Sequence, residues 1–194
     1  AALLSVCVLN ASLVIPWYVD TQEHGTGTDL TLFLANVLSS NTEFERLFNL
    51  LDEEKPDVIA LLEVSPDWLV ELDALRSDYP YSYAEARDGN FGIALFSRIP
   101  IKSADHIDSP PFGYPTITAL LTVGEESIHL VATHPMIPIV KKFYEARNKQ
   151  LESLPGLLQK PAGATILIGD LNTAMWEPNY RALEKATGLR NSRR

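Results

Sequence analysis

Between Asp57 and Glu63 the chain reads DVIALLE. Five consecutive apolar residues offer no polar face to water, which is the pattern of a strand covered on both sides. Helix signals flank it. Ser40 with Glu43 three residues on makes a capping box, Phe44, Leu47, Phe48 and Leu51 recur on one helical face, and Lys55-Pro56-Asp57 ends that helix. Ser65-Pro66 opens the next, with Leu69, Leu72 and Leu75 inward. A preceding strand at Leu30 to Asn36 completes a strand, helix, strand, helix order.

From Tyr81 the pattern changes. YSYAEA, a turn at Asp88-Gly89-Asn90 and IALFSR, then TITALLTV and SIHLVATH around Gly124-Glu125-Glu126, read as hairpin-connected antiparallel strands. His106 falls in a loop between these pairs and His129 in mid-strand. Lys141 to Gln159 is helical in pattern, with Ile139, Phe143, Ala146 and Leu151 on one side. Ala164 to Ile168 is a short buried strand, and Pro178 starts a last helix. Mixed strands with interspersed helices point to an α/β sandwich of sheets covered by helices rather than a purely parallel, doubly wound sheet.

Composition removes several function classes. With 194 residues, one domain is the natural size, and 46% apolar content excludes wholesale disorder. Sixteen Lys and Arg against 25 Asp and Glu leave a net charge of −9, so no general positive field gathers polyanions, and a nucleic-acid partner needs local help such as a metal. The single cysteine, Cys7, excludes an internal disulfide and Cys-pair zinc sites.

Residues 1–19 carry no charge and end in Pro16-Trp17-Tyr18. A bilayer-spanning helix needs about 20 mainly apolar residues, so this stretch reads as the end of a transmembrane or hydrophobic anchor helix. The alternatives are a cleaved signal-peptide core lacking its basic front, or a buried helix weakened by Asn10 and Ser12. Residues 20–28 form a polar linker, and residues 29–194 the domain proper. The first flanking charges, Asp20, Glu23 and Asp29, are acidic and the first basic residue is Arg46, which favours an extracytoplasmic domain on a membrane-associated protein.

Four strands end in polar residues that a structural strand does not require: Asn36, Glu63, His134 and the Asp170-Leu171-Asn172 turn. Strands ending on one edge of a sheet bring such side chains together. Two carboxylates, two carboxamides and an imidazole are hard donors that suit Mg²⁺ or Mn²⁺, which bind through one or two carboxylates plus substrate phosphate. Each residue also has a bland reading. Asn36 serves as a turn former, Glu63 pairs with a distant arginine, His134 is a satisfied core histidine, and GDLNT is an Asx turn.

Taken together, LANVLSSN, ALLEVS, VATHP and GDLNT occur in the order found in the endonuclease/exonuclease/phosphatase superfamily, and NFGIALFSRIPI resembles that family's hairpin after the second helix. The PWY boundary, NVLSSN and RNKQ are similar to membrane-linked bacterial members. The resemblance implies a four-layer sandwich of two mixed, mostly antiparallel sheets flanked by helices, C-terminally incomplete. It implies that Glu63 with Asn36 holds a divalent metal, Mg²⁺ or Mn²⁺, against a phosphate oxygen. Asp170 would orient or deprotonate the attacking water, Asn172 would hydrogen-bond the phosphoryl group, and His134 would contact the scissile phosphate.

Arg147 and Gln150, three apart on one helix face, reach the site or brace its loop, the alternative for Arg147 being a surface salt bridge. Trp176 lines the substrate cleft or packs in a core. The family's closing Asp-His pair does not follow Asn172, so the chain reads as a truncated fragment with part of the metal site and little activity. The expected function is hydrolysis of a phosphodiester or phosphomonoester in a nucleic acid, or in a small or lipid phosphoester. The rival is a non-catalytic binding module that keeps the fold.

Overall fold

The computed structural model describes residues 2–19, 30–159 and 163–192. The expected linker at residues 20–28, with His24, lies outside the described residues. The helices are α1 (Ala2–Val14), α2 (Phe44–Glu54), α3 (Pro66–Glu71), α4 (Lys141–Leu158) and α5 (Pro178–Thr187). The strands are β1 (Leu32–Asn36), β2 (Val58–Leu62), β3 (Tyr81–Glu85), β4 (Ile93–Ser97), β5 (Ile101–Ser109), β6 (Tyr114–Val123), β7 (Glu126–Thr133) and β8 (Ala164–Gly169). The chain divides into two contact units: Ala1–Thr28 with Thr173–Arg194, and Asp29–Asn172.

The larger unit holds two four-stranded sheets, ordered β1-β2-β4-β3 and β5-β6-β7-β8. In each, one edge pair is parallel (β1 with β2, β7 with β8) and the other pairs are antiparallel. This is the mixed α/β sandwich expected from the sequence.

Its layering follows from side-chain alternation along β2. Val58, Ala60 and Leu62 join Ile93 and Leu95 of β4 and meet Ile117, Ala119 and Leu121 of β6 and Leu130 and Ala132 of β7 in the core between the sheets. Ile59 and Leu61, with Phe96, face the other way into a core made by Leu47 and Leu51 of α2, Trp68 of α3, and Leu72 and Leu75 of the 3-10 turn that follows. A strand buried on both faces has no position for a polar side chain, hence the uninterrupted VIALL. Phe44 packs edge-on against Trp68 at 4.6 Å, which joins the two helices of this layer. On the second sheet, α4 packs against β7.

Three local expectations are corrected. The Ser40/Glu43 capping box does not form: α2 begins at Phe44, Glu43 occupies the cap position without a side-chain cap bond, and Asn41 Oδ1 accepts the Glu43 N–H at 3.0 Å. His106 lies in β5, not in a loop. That strand, IKSADHIDS, is an edge strand whose polar alternation carries no hydrophobic signature, because only β6 pairs with it. Ile139 precedes α4 and is 70% exposed instead of facing inward.

In the smaller unit, α1 is followed by a 3-10 turn at Ile15–Tyr18. Among the described residues, no helix is long and apolar enough to cross a membrane. Pro178 does start the last helix, which ends at Gly188 in the left-handed region, where its N–H reaches Glu184 O at 2.9 Å.

Candidate active site

Parallel pairing at one edge of each sheet carries the site. Asn36 ends β1 in register with Leu62, so Glu63, the next residue after β2, comes beside it. Asn36 Nδ2 donates to Glu63 Oε1 at 2.6 Å, and Asn36 Oδ1 accepts the Leu38 N–H at 3.0 Å. Glu63 sits at φ +64°, a left-handed conformation that costs an ordinary residue roughly 1–2 kcal/mol.

The turn after Glu63 is fixed by the tip of the β3–β4 hairpin. Val64 N–H donates to Gly92 O at 3.0 Å, and a Cβ on Gly92 would lie 1.9 Å from Val64 O, so only glycine permits this approach. Ser39 Oγ bonds Asn90 Oδ1, tying the loop after β1 to the same hairpin tip.

β7 and β8 supply the other half. Thr133 is in register with Gly169, so His134 and Asp170 leave their strands side by side. Gly169 has φ +148°, and a Cβ there would lie 1.8 Å from Thr133 O. Asp170 Oδ1 accepts the Asn172 N–H at 2.9 Å, the Asx turn that one reading of GDLNT proposed. Asn172 is left-handed at φ +49°, and its Nδ2 donates to Pro135 O at 2.9 Å. That amide thereby ties the loop after β8 to the loop after β7, at the position expected to contact a phosphoryl group.

α4 braces both loops from below. Arg147 is fully buried and donates to Asn172 O at 2.9 Å, while Gln150 Oε1 accepts the Met136 N–H at 2.8 Å. Arg147 has no surface exposure. Its guanidinium holds the Asn172 turn, and burial keeps it from the solvent a substrate arrives through. Trp176 belongs to the smaller unit, with 37% of its surface exposed.

His134 is the electrostatic centre of the cluster. Burial pushes its pKa down from the ordinary value, and the carboxylates of Asp170 and Glu63 and a hydrogen bond to the Asn90 backbone oppose that shift. The ring lies 5.6 Å from that of Phe91, which stacks on Tyr114 at 3.5 Å. Among the described residues His134 Nδ1 has no hydrogen-bond partner, nor has Glu63 Oε2, and both atoms are buried.

A histidine whose folded pKa lies below its unfolded value of about 6.5 binds fewer protons folded than unfolded between those two values. Stability from this group is therefore complete above about pH 6.5 and is lost as pH falls through the lower, folded pKa. Urea unfolding between pH 7.5 and 5 should show stability declining over that window, and His134→Gln should flatten the decline. An unchanged slope in the variant would place the titration elsewhere.

The donor set fits a hard divalent cation. A buried carboxylate oxygen without a partner is costly unless a cation meets it, and Glu63 Oε2 is such an atom. Among the described residues there is no group of three or more His, Cys, Asp or Glu able to hold a metal. A hard ion such as Mg²⁺ binds through one or two carboxylates, water and phosphate. Asn36, expected beside Glu63 as a ligand, presents its amide nitrogen to the carboxylate and so orients it.

Asn90 and Phe91 of the hairpin tip, Gly92, Tyr114 and Gly169 were not among the site residues the sequence singled out. The turn signal Asp88-Gly89-Asn90 and the family-like hairpin NFGIALFSRIPI marked the strand pair there, but not its place in the site. A hairpin turn becomes part of a site only through contacts that sequence spacing does not record.

Comparison with known proteins agrees with this architecture. The structure is similar to that of D. rerio TDP2 complexed with a single-strand DNA product, at 20% identity and a TM-score of 0.68, over 79% of this chain and 64% of that one. It is similar to a β-hairpin deletion mutant of Staphylococcus aureus beta toxin, at 17% identity and a TM-score of 0.69, over 85% and 75%. Sphingomyelinase C from Streptomyces griseocarneus gives 19% identity and a TM-score of 0.68, over 86% and 72%. At such identities the likeness concerns the fold, and the chain spans less than two thirds of the length of that TDP2 chain. No curated protein matches the sequence significantly. The sequence model of the Endonuclease/Exonuclease/phosphatase family matches residues 34–193, most of the chain, and the protein therefore belongs to that family.

Proposed function

We propose that this protein hydrolyses a phosphodiester or phosphomonoester with the help of Mg²⁺ or Mn²⁺. The observation that carries the reading is the unpartnered, buried Oε2 of Glu63, whose carboxylate acts electrostatically on His134 together with that of Asp170. The ion, held by Glu63, would supply positive charge against the phosphate oxygens as negative charge develops on them.

The chain's own residues do the rest. Asn36 fixes the Glu63 carboxylate through the 2.6 Å bond. Asp170, oriented by the Asn172 N–H on its Oδ1, takes a proton from the attacking water as the water oxygen bonds to phosphorus. The ester P–O bond breaks and the leaving oxygen departs with the bonding pair. His134, kept neutral by burial, meets the scissile phosphate through Nδ1. The added negative charge favours the imidazolium form and makes that contact charge-assisted. Arg147 and Gln150 hold the loops that carry these groups.

The test is turnover of a soluble diester, bis(4-nitrophenyl) phosphate, with and without a chelator. Turnover abolished by the chelator and restored by Mg²⁺ or Mn²⁺ supports the reading, and turnover indifferent to the chelator refutes the metal's role. We also propose that the protein is membrane-associated through its N-terminal segment. Ala2–Val14 is an uncharged apolar helix whose residues Leu3, Leu4, Val8 and Leu9 are exposed. A lipid phosphoester is then the favoured substrate class.

A further inference from the structure

Ser127 to Tyr144 contains no acidic residue in a chain that has 25 of them. The middle of that stretch, the loop between β7 and α4, carries its apolar side chains outward: Ile137 is 48% exposed, Ile139 70% and Val140 53%. Such a loop is normally polar at its tip, because exposed apolar area gains nothing from water. Lys141 and Lys142 follow at once and are both exposed.

The loop is anchored at both ends. Gln150 holds the Met136 N–H at 2.8 Å, and the Phe143 and Tyr144 N–H groups bond Val140 O at 3.0 and 2.9 Å. The apolar prominence continues onto the tip of the β5–β6 hairpin. Phe112 lies edge-on to Phe143 at 5.8 Å, with Lys142 Nζ 5.1 Å over its ring. From Phe112 the rings run through Tyr114 and Phe91 to His134. The apolar surface therefore leads directly to the candidate phosphate site.

We infer that the β7–α4 loop, residues 137–142, is a docking element for an anionic lipid bilayer, placing the His134 side of the site at the headgroup layer. Exposed aliphatic side chains flanked by lysines are the combination that an anionic interface takes up, the former beneath the headgroups and the latter among them. Charge complementarity selects this face: a protein of net charge −9 is repelled by such a surface unless it approaches through a segment without acidic side chains. The one acid beside this loop, Glu145, makes only a long, exposed pair with Lys141 at 3.8 Å, which leaves Lys142 and most of the Lys141 charge to the bilayer. The ordered backbone spares the entropy of arranging the loop on contact. A nucleic-acid partner fits less well, because two lysines next to three outward aliphatic residues offer few phosphate contacts. The inference deepens the hydrolase reading and rests on it for the substrate, a phosphoester within the bilayer surface.

The test reads the loop itself, so that binding through α1 does not confuse it. Ile139→Cys in a Cys7→Ser background carries an environment-sensitive fluorophore, and the same label at Glu125→Cys, in the β6–β7 turn, is the control. On vesicles of 70% phosphatidylcholine and 30% phosphatidylglycerol, the label at position 139 should shift to the blue and be quenched at least twofold by spin-labelled acyl chains, while that at 125 does neither. In the double variant Lys141→Glu, Lys142→Glu the vesicle response should fall about tenfold, with turnover of bis(4-nitrophenyl) phosphate unchanged. An unmoved emission at 139, even on vesicles that sediment the protein, overturns the docking element. So does a response to single-stranded DNA in place of vesicles. Loss of soluble-diester turnover in the unmodified protein overturns the hydrolase reading instead, which keeps the two failures distinct.

Discussion

Glu63→Gln should lower metal-dependent turnover by roughly 10³-fold, the several kcal/mol of charge stabilisation that a bound cation contributes. It should at the same time abolish Mn²⁺ binding measured by electron paramagnetic resonance. The substitution is close to isosteric, and a glutamine Oε1 still accepts the Asn36 amide, so the turn after β2 is retained. What disappears is the charge on an oxygen that has no partner among the described residues. Removing an uncompensated buried charge does not destabilise a fold, so metal-free stability in urea should be unchanged or higher. This combination, lost binding and turnover with intact stability, separates a metal ligand from a structural carboxylate. Unchanged turnover in the variant would remove Glu63 from the mechanism.

Gly169→Ala should be strongly destabilising, by roughly 3 kcal/mol or more, at the upper end of what single substitutions do. The added Cβ would lie 1.8 Å from Thr133 O, a backbone atom that no rotamer change moves aside. β7 and β8 would have to separate at Thr133/Gly169, the step that places His134 beside Asp170, so activity should fall with stability. Gly124→Ala is the control. It also sits at positive φ, +60°, but nothing lies within 4 Å of its Cβ, so it should cost only about 1–2 kcal/mol for the left-handed backbone. Equal losses in the two variants, by urea unfolding, would show that conformation and not close strand approach decides the effect.

Much of the frame was legible in the sequence because burial imposes periodicity. VIALL could satisfy only a strand with cover on both faces, and Leu47, Leu51 and Phe44 could share only a helical face. β5 was illegible for the converse reason: an edge strand with a polar alternating pattern leaves no apolar repeat to find. The Ser40 cap misled because the signature S-x-x-E states which bond is available, and Asn41 made a competing one. Ile139 misled because a residue just before a helix shares its apparent periodicity without sharing its axis.

The candidate site divides along the same line. Asn36, Glu63, His134 and Asp170 stand out in the sequence as polar residues that terminate apolar runs, and that is a local property. Residue type and periodicity thus determined the elements and the chemistry available at their ends. Only the tertiary structure decided that these ends meet. The parallel registers of β1 with β2 and β7 with β8, the Asn90–Phe91 hairpin tip against His134, and the buried Arg147 beneath the Asn172 turn are all through-space relations. They arise from packing between residues as much as 44 apart in the chain, as Asn90 and His134 are, and no local pattern encodes a contact at that separation.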